Sequence, residues 1–182
     1  MGNVIFSMSV SLDGYIAGPG GDIEWSAPDD ELHRFHNERV RELGAQLLGR
    51  RLYETMLYWE TADQDPELGE TQREFAGIWK ALPRIVFSTT LDAVEGNARL
   101  ATGSLADEIA ALDGDIGIGG AGLAAAAMKL GLIDEYELFV NPVVLGGGTP
   151  YFPPDHHIDL ELAETRTFGS RVTYLRYRTA GR

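Results

Sequence analysis

Hydrophobic and polar positions run along this chain in short blocks whose period keeps changing. Residues 3–10 are rich in β-formers (Val4, Ile5, Phe6, Val10) and end at a turn-like SLDG, which predicts a first strand. Residues 14–21 hold four glycines and a proline and predict a loop. Ser26 fits an N-cap, with Pro28 near the first helical position and Asp29, Asp30 and Glu31 in the first turn. That helix is expected to reach about Leu43 and to bury Leu32, Phe35, Val40 and Leu43.

A short buried strand follows at 45–48, ended by Gly49. A second helix begins near Arg50 or Arg51 and carries Leu52, Met56 and Leu57. Residues 61–71 are polar and acidic and predict a surface loop; 74–82 predict a helix stopped by Pro83. Strands are expected at 84–88 and 98–101, and Ser104 caps a helix through Leu112. Residues 115–118 form a strand, and a helix from about Ala121 to Leu130 ends at Gly131. A long strand is predicted at 135–145, then two more at 159–168 and 171–179, joined at Gly169 and Ser170 as an antiparallel hairpin. Alternating helices and strands imply an α/β fold, with a mostly parallel sheet and helices on both faces. No internal repeat or linker divides residues 1–182, so one domain is expected.

Composition narrows the partners. The formal net charge is −13, which repels nucleic-acid phosphates and anionic lipid headgroups, so neither is expected as a partner. No stretch approaches the roughly 18 apolar residues that span a bilayer. With no targeting segment visible and no cysteine, a cytoplasmic home is expected, without disulfides or thiolate metal sites. A phosphorylated ligand would have to be held by local features: backbone amides, helix N-termini and a few placed arginines.

Three segments offer such features. In DIGIGGAGLAAAA (115–127) a strand passes through glycines into a helix, whose first amides and dipole suit an anion. The same pattern also serves as a plain strand-to-helix turn. Gly117, Gly119 and Gly122 fit G-x-G-x-x-G, which raises a Rossmann NAD dehydrogenase. Against that, the next strand ends without an acidic residue for a ribose, and only 60 residues follow Gly122. In LLGRRLYETM, Arg50 and Arg51 oppose the dipole of the helix they start, which an intervening phosphate would explain; the alternative is that they extend into solvent or pair with carboxylates. In PRIVFSTTL, Ser88, Thr89 and Thr90 follow a strand's C-terminal end, where ligands of open α/β sheets bind, although such clusters also form turns.

Taken together, SLDGYIAG, LLGRRLYE, RIVFSTTL, IGIGGAGL and NPVVLGGGTPYF resemble, in that order and over residues 3–179, the dihydrofolate-reductase-like family. The branch they resemble holds the C-terminal reductase domain of the riboflavin-pathway deaminase–reductase RibD. The resemblance implies a three-layer α/β sandwich: a mostly parallel mixed sheet with a C-terminal antiparallel hairpin. It implies NADPH as cofactor, with Gly49, Arg50 and Arg51 facing the phosphates. Ser88 and Thr89 would lie near the 2′-phosphate. Gly119, Gly120, Ala121 and Gly122 would line the pyrophosphate, and Val10, Ala17 and Ile118 would wall the nicotinamide. The implied reaction is hydride transfer to a small-molecule substrate with no covalent nucleophile, the nearest named activity being 5-amino-6-(5-phosphoribosylamino)uracil reduction. Pterin-type reduction and a non-catalytic nucleotide-binding module of the same fold are the alternatives. A homodimer through the closing strands is also implied.

The chain departs from the family in places. The carboxylate that dihydrofolate reductases carry on the first helix has only Asp29, Asp30, Glu31 and Glu38 to stand for it; Asp29, Asp30 and His33 are the catalytic candidates, with His36 a further proton donor. The tyrosine following the glycine pair is replaced at Ala124. The basic segment that grips a ribosyl phosphate is replaced by aromatic and acidic YETMLYWETADQDPELGE. Trp25, Tyr53 and Trp59 are candidates for a substrate pocket, with core packing the other reading. Asp155, His156 and His157 read as a loop rather than a metal site, because adjacent histidines do not converge on one ion, and Asp13 reads as a turn residue.

Overall fold

The computed structural model describes residues 2–181. Five strands run parallel: β1 (Val4–Ser11), β3 (Ala45–Gly49), β4 (Arg84–Phe87), β6 (Ile116–Gly119) and β7 (Glu135–Asn141). β5 (Ala98–Leu100) joins them in parallel beside β4. The hairpin β9 (Leu160–Thr167) and β10 (Thr173–Thr179) adds antiparallel to β7. The eight form one sheet in the order β5-β4-β3-β6-β1-β7-β10-β9. A small second sheet pairs β2 (Tyr15–Ala17) with β8 (Thr149–Pro150).

Residue alternation along the strands assigns the layers. Val4 and Phe6 of β1, Leu47 of β3, Ile85 of β4 and Ile118 of β6 point to one face. There they meet Ile109 of α4 (Leu105–Ala110) and Ala124, Ala127 and Met128 of α5 (Ala121–Lys129). Leu48 and Val86 point to the other face, against Tyr53 of α2 (Arg50–Met56) and Phe75 and Trp79 of α3 (Glu70–Ala81). Farther along that face Leu32 of α1 (Asp30–Arg41) packs with Phe139, Phe168 and Tyr174. Burial of such side chains contributes roughly 1.5–3 kcal/mol each, which makes these three clusters the main stabilisation. The arrangement is the expected three-layer α/β sandwich with a closing hairpin.

Several boundaries differ from expectation. Asp29, not Ser26, caps α1: its carboxylate accepts from the Leu32 amide at 2.9 Å, while the Ser26 hydroxyl turns back to the Ile23 carbonyl at 2.7 Å. Only Leu32 and Asn37 of α1 are fully buried; Phe35, Val40 and Leu43 are half-buried. The predicted loop at 61–71 contains a one-turn helix at 62–64 and the start of α3, because Thr71 is drawn under α1 by a hydrogen bond to Asp30. β7 stops at Asn141 because Pro142, lacking an N–H, leaves the ladder. The stretch after it crosses over β1 instead, with Leu12 N donating to the Val143 carbonyl at 2.8 Å.

His36 is half-buried on α1, its ring centroid 4.2 Å from that of Phe139, and burial pushes its pKa down from 6.5 to about 4. The folded state therefore holds His36 neutral at pH values where the unfolded chain protonates it. Stability from this residue is complete above pH 6.5 and is lost as pH falls toward about 4. Denaturant midpoints measured across that interval should fall with pH, and His36→Phe should flatten the slope by up to about one proton. An unchanged slope would mean that His36 titrates normally in the fold.

Candidate cofactor and substrate cleft

The C-terminal ends of β4, β3, β6 and β1 open into one cleft of about 1060 Å³. This is the edge at which open α/β sheets bind ligands. The α5 end of the cleft is built from backbone. Gly120 caps α5 at φ 96°, a conformation that glycine adopts without strain, and no side chain caps the helix. The first amides of α5 therefore have no helical partner, and the helix dipole adds positive potential beside Gly120, Ala121 and Gly122, which all line the cleft. A Cβ added at Gly122 would meet nothing within 4 Å.

Gly117 and Gly119 serve a different purpose. A Cβ at Gly117 would come within 2.8 Å of Leu43, and one at Gly119 would collide with Leu52. These glycines let the first helical layer sit tightly on β6; Gly119 is buried and does not line the cleft, which corrects its expected place along a pyrophosphate.

Arg50 and Arg51 lie at the cleft beside Gly49, both exposed. Arg50 donates to Thr90 Oγ1 at 2.7 Å, and its Nε lies 3.5 Å from Glu54. Ser88, Thr89 and Thr90 line the same end. The Ser88 hydroxyl is engaged by the turn itself, accepting from the amides of Thr90 and Leu91, both at 3.1 Å. The Thr90 hydroxyl is engaged by Arg50 and so stands beside its guanidinium. Gly103 completes this end, on a loop held by Glu108, which accepts from the amides of Thr102 (2.7 Å) and Gly103 (3.1 Å) and pairs with Arg99. Those contacts, Arg99 first, hold the Glu108 carboxyl at about 2.

The β1 and β2 side of the cleft is apolar: Met8, Ile16, Ala17 and Ile23, with the hydroxyl of Thr149; Leu52 and Thr55 stand on α2 beside the arginines, the Thr55 hydroxyl donating to the Arg51 carbonyl at 3.0 Å. Val10 and Ile118, expected as nicotinamide walls, are core residues at 1% and 2% exposure; Met8, two residues earlier on the same face of β1, lines the cleft in place of Val10. Asp13 is more than a turn residue. Its carboxylate accepts from Ser11 Oγ at 2.6 Å and from the amides of Leu145 (3.1 Å) and Gly146 (2.7 Å), contacts that hold its pKa at about 2. This clamp, with the β2–β8 pairing, sets Thr149 beside Ala17.

The catalytic candidates lie elsewhere. Asp29 is engaged as the α1 cap; Asp30 accepts from Thr71 Oγ1 at 2.5 Å and pairs with Arg34. His33 is packed among Phe75 and Trp59, with centroids 5.7 and 6.1 Å away, and burial lowers its pKa. None of the three lines the cleft. The proposed aromatic pocket also dissolves. Tyr53 is core, its hydroxyl accepting from the Glu95 amide at 2.7 Å; Trp59 packs on Phe75; Trp25 folds onto its own turn, donating to the Asp22 carbonyl at 3.0 Å. Ala124, at the place of the family tyrosine, is fully buried on the inner face of α5.

A smaller depression of about 450 Å³ lies between the C-terminal halves of α1 and α3. Its only charged residues, Arg41 and Glu74, pair with each other at 2.6 Å, so it offers no free polar group to a ligand.

Comparison with known proteins agrees with this fold. The profile of the RibD C-terminal domain matches residues 3–112 and 116–174. The Bacillus subtilis (strain 168) protein YyaP is 29% identical over 184 residues, covering 98% of this chain and 95% of that protein. Among solved structures, a putative riboflavin biosynthesis protein from Shewanella sp. PV-4 superposes with a TM-score of 0.75 at 24% identity, covering 98% and 99% of the two chains. Enterococcus faecalis dihydrofolate reductase, complexed with NADP(H), superposes with a TM-score of 0.65 at 15% identity, covering 98% and 96%. The fold is dihydrofolate-reductase-like.

Two glycine substitutions test the architecture of the cleft. Gly148 sits at φ 127°, where an added Cβ would collide with the Ala17 carbonyl oxygen, so Gly148→Ala should cost roughly 1–3 kcal/mol in denaturant unfolding. Gly122→Ala, facing open space, should stay within about 0.5 kcal/mol of the parent. Equal losses at both would contradict the loop closure described above.

Proposed function

Because the chain belongs to the RibD C-terminal domain family, we propose that it is an oxidoreductase that uses NADPH to reduce a small unsaturated molecule. The observation that carries this reading is the meeting, in one cleft, of the uncapped α5 N-terminus with the Arg50–Arg51 pair. An elongated dianionic bridge fits against the amides at Gly120–Gly122, where glycine leaves room for phosphate oxygens. Arg50 and Arg51, with Thr90, would hold a further phosphate through charge-assisted hydrogen bonds. The cleft volume suits a dinucleotide with a small co-substrate.

NADPH, when bound, supplies a hydride. The chain's part is to place the acceptor against the Met8 and Ala17 end and to shield that end from water with Ile16 and Ile23. A C=O or C=N carbon of the substrate accepts the hydride, its π pair moves to the heteroatom, and that atom takes a proton from water. We read water as the proton source, since the lining side chains among the described residues include no carboxylate or imidazole, an arrangement that favours the pterin-type alternative less. By family resemblance alone the nearest named activity is reduction of 5-amino-6-(5-phosphoribosylamino)uracil; assembly as a homodimer is part of this proposal, the exposed outer strand β9 being the candidate face.

Calorimetric titration tests the cofactor. NADPH should bind more tightly than NADH, and alanine at Arg50 and Arg51 should each weaken NADPH by about ten-fold or more, while NADH changes less. Equal affinities for the two cofactors would remove the 2′-phosphate site.

A further inference from the structure

The two ends of the cleft differ in charge, and the difference bears on the substrate. Recognition of a phosphate monoester needs at least one cation or a set of free amides directed at it. Arg50 and Arg51 are the only lining cations among the described residues, and both stand at the β3 and β4 end. The cations of the flanking elements are engaged. Arg34 is held by Asp30, Arg39 by Glu137 and Arg41 by Glu74. Lys80 is held by Asp63, Arg84 by Glu60, and Arg73 by the Leu68 carbonyl. Arg171, in the turn of the β9–β10 hairpin, does not border the cleft.

The rim of the apolar end carries the opposite sign. Asp22 and Glu24 flank Ile23, both exposed. A dianionic phosphate entering past these carboxylates would meet repulsion and find no partner inside.

We infer that the substrate is an uncharged, non-phosphorylated compound with a flat apolar face and a reducible C=O or C=N bond. The inference rests on the reductase reading above and sets this chain apart from a reductase of a ribosyl phosphate. Met8, Ile16 and Ile23 give the flat face its contact, and Thr149 offers a hydroxyl to its polar edge.

The test is a matched pair of 6-(ribosylamino)uracils, with and without the 5′-phosphate, titrated into the full-length protein saturated with NADP⁺, so that Arg50 and Arg51 are occupied. The uncharged member should bind at least about ten-fold more tightly. Ile23→Arg, which places a cation at the exposed lip of the apolar end, should narrow or reverse that ratio. Equal or tighter binding of the phosphate ester to the unmodified protein overturns the inference, and so does binding of neither member, since the apolar end must accept its uncharged occupant. Failure of NADP⁺ to bind at the outset is a separate result: it sinks the reductase reading itself.

Discussion

Two strand-to-helix turns meet in this protein with only backbone between them. Leu48 of β3 stands in register with Gly119 of β6, and the next residues, Gly49 and Gly120, approach until a Cβ on Gly120 would lie 3.5 Å from the Gly49 Cα and amide nitrogen. The helices α2 and α5 therefore start side by side at one level. A side chain at Gly120 would strain a positive φ, while its Cβ would rest on Gly49 at ordinary van der Waals contact. The close approach brings the free amides of α5 and the arginines of α2 to the same cleft. It depends in turn on Gly117 and Gly119, which let Leu43 and Leu52 pack down on β6 from behind.

Charge is distributed with a similar economy. The chain has 28 carboxylates against 15 Lys and Arg, yet the cleft has two arginines and no lining carboxylate. Long-range repulsion by the acidic surface is screened beyond about 8–10 Å at ordinary ionic strength. Charge-assisted hydrogen bonds to phosphate act at contact and contribute about 1.5–3 kcal/mol each. Local groups therefore decide which anions are tolerated, and they are concentrated at one end. Elsewhere carboxylates neutralise cations or clamp loops: Glu108 holds residues 102–103, Asp13 holds residues 145–146, and the buried Glu137 takes Arg39 and the Tyr174 hydroxyl, the latter at 2.8 Å.

How far the sequence could be read depends on whether a feature is local. The parallel strands, the Gly120 turn and the Ser104 cap were legible because each is decided within a few residues; Ser104 accepts from the Asp107 amide at 3.2 Å as its spacing requires. The start of α1 was not, because Ser26 and Asp29 are both good caps and the choice fell to whichever faced an unpaired helical amide. The start of α3 was hidden because Thr71 is buried by α1, a contact 41 residues away in sequence. At the site, Arg50, Arg51, Gly120 and Gly122 were legible from the chemistry of helix starts. Trp25, Tyr53 and Trp59 were misplaced since aromatic character fits a core and a pocket equally; only the position of α3 over α2 decides it. Met8 had a readable signal: it shares the strand face of Val4, Phe6 and Val10 but stands where the core gives way to the cleft.

The fate of the α1 carboxylates ties fold to chemistry. In this chain Asp29 and Asp30 close the start of α1 and fasten α3 across it through Thr71, and Asn37 extends the same seam to the Thr71 carbonyl at 2.9 Å and to Glu74 at 2.8 Å. The hydrogen bond from Thr71 and then the charge of Arg34 keep the Asp30 carboxyl below the ordinary range. Such a group neither donates a proton nor turns toward the cleft without unfastening two helices. The fold has thus committed its first-helix acids to structure. Under the reductase reading, the acceptor heteroatom must then draw its proton from solvent, which requires it to stay at the open lip while its reacting carbon is buried. A substrate with an apolar body and one polar edge meets that geometric demand, and the cleft's division into an apolar floor and a hydroxyl-bearing lip supplies it.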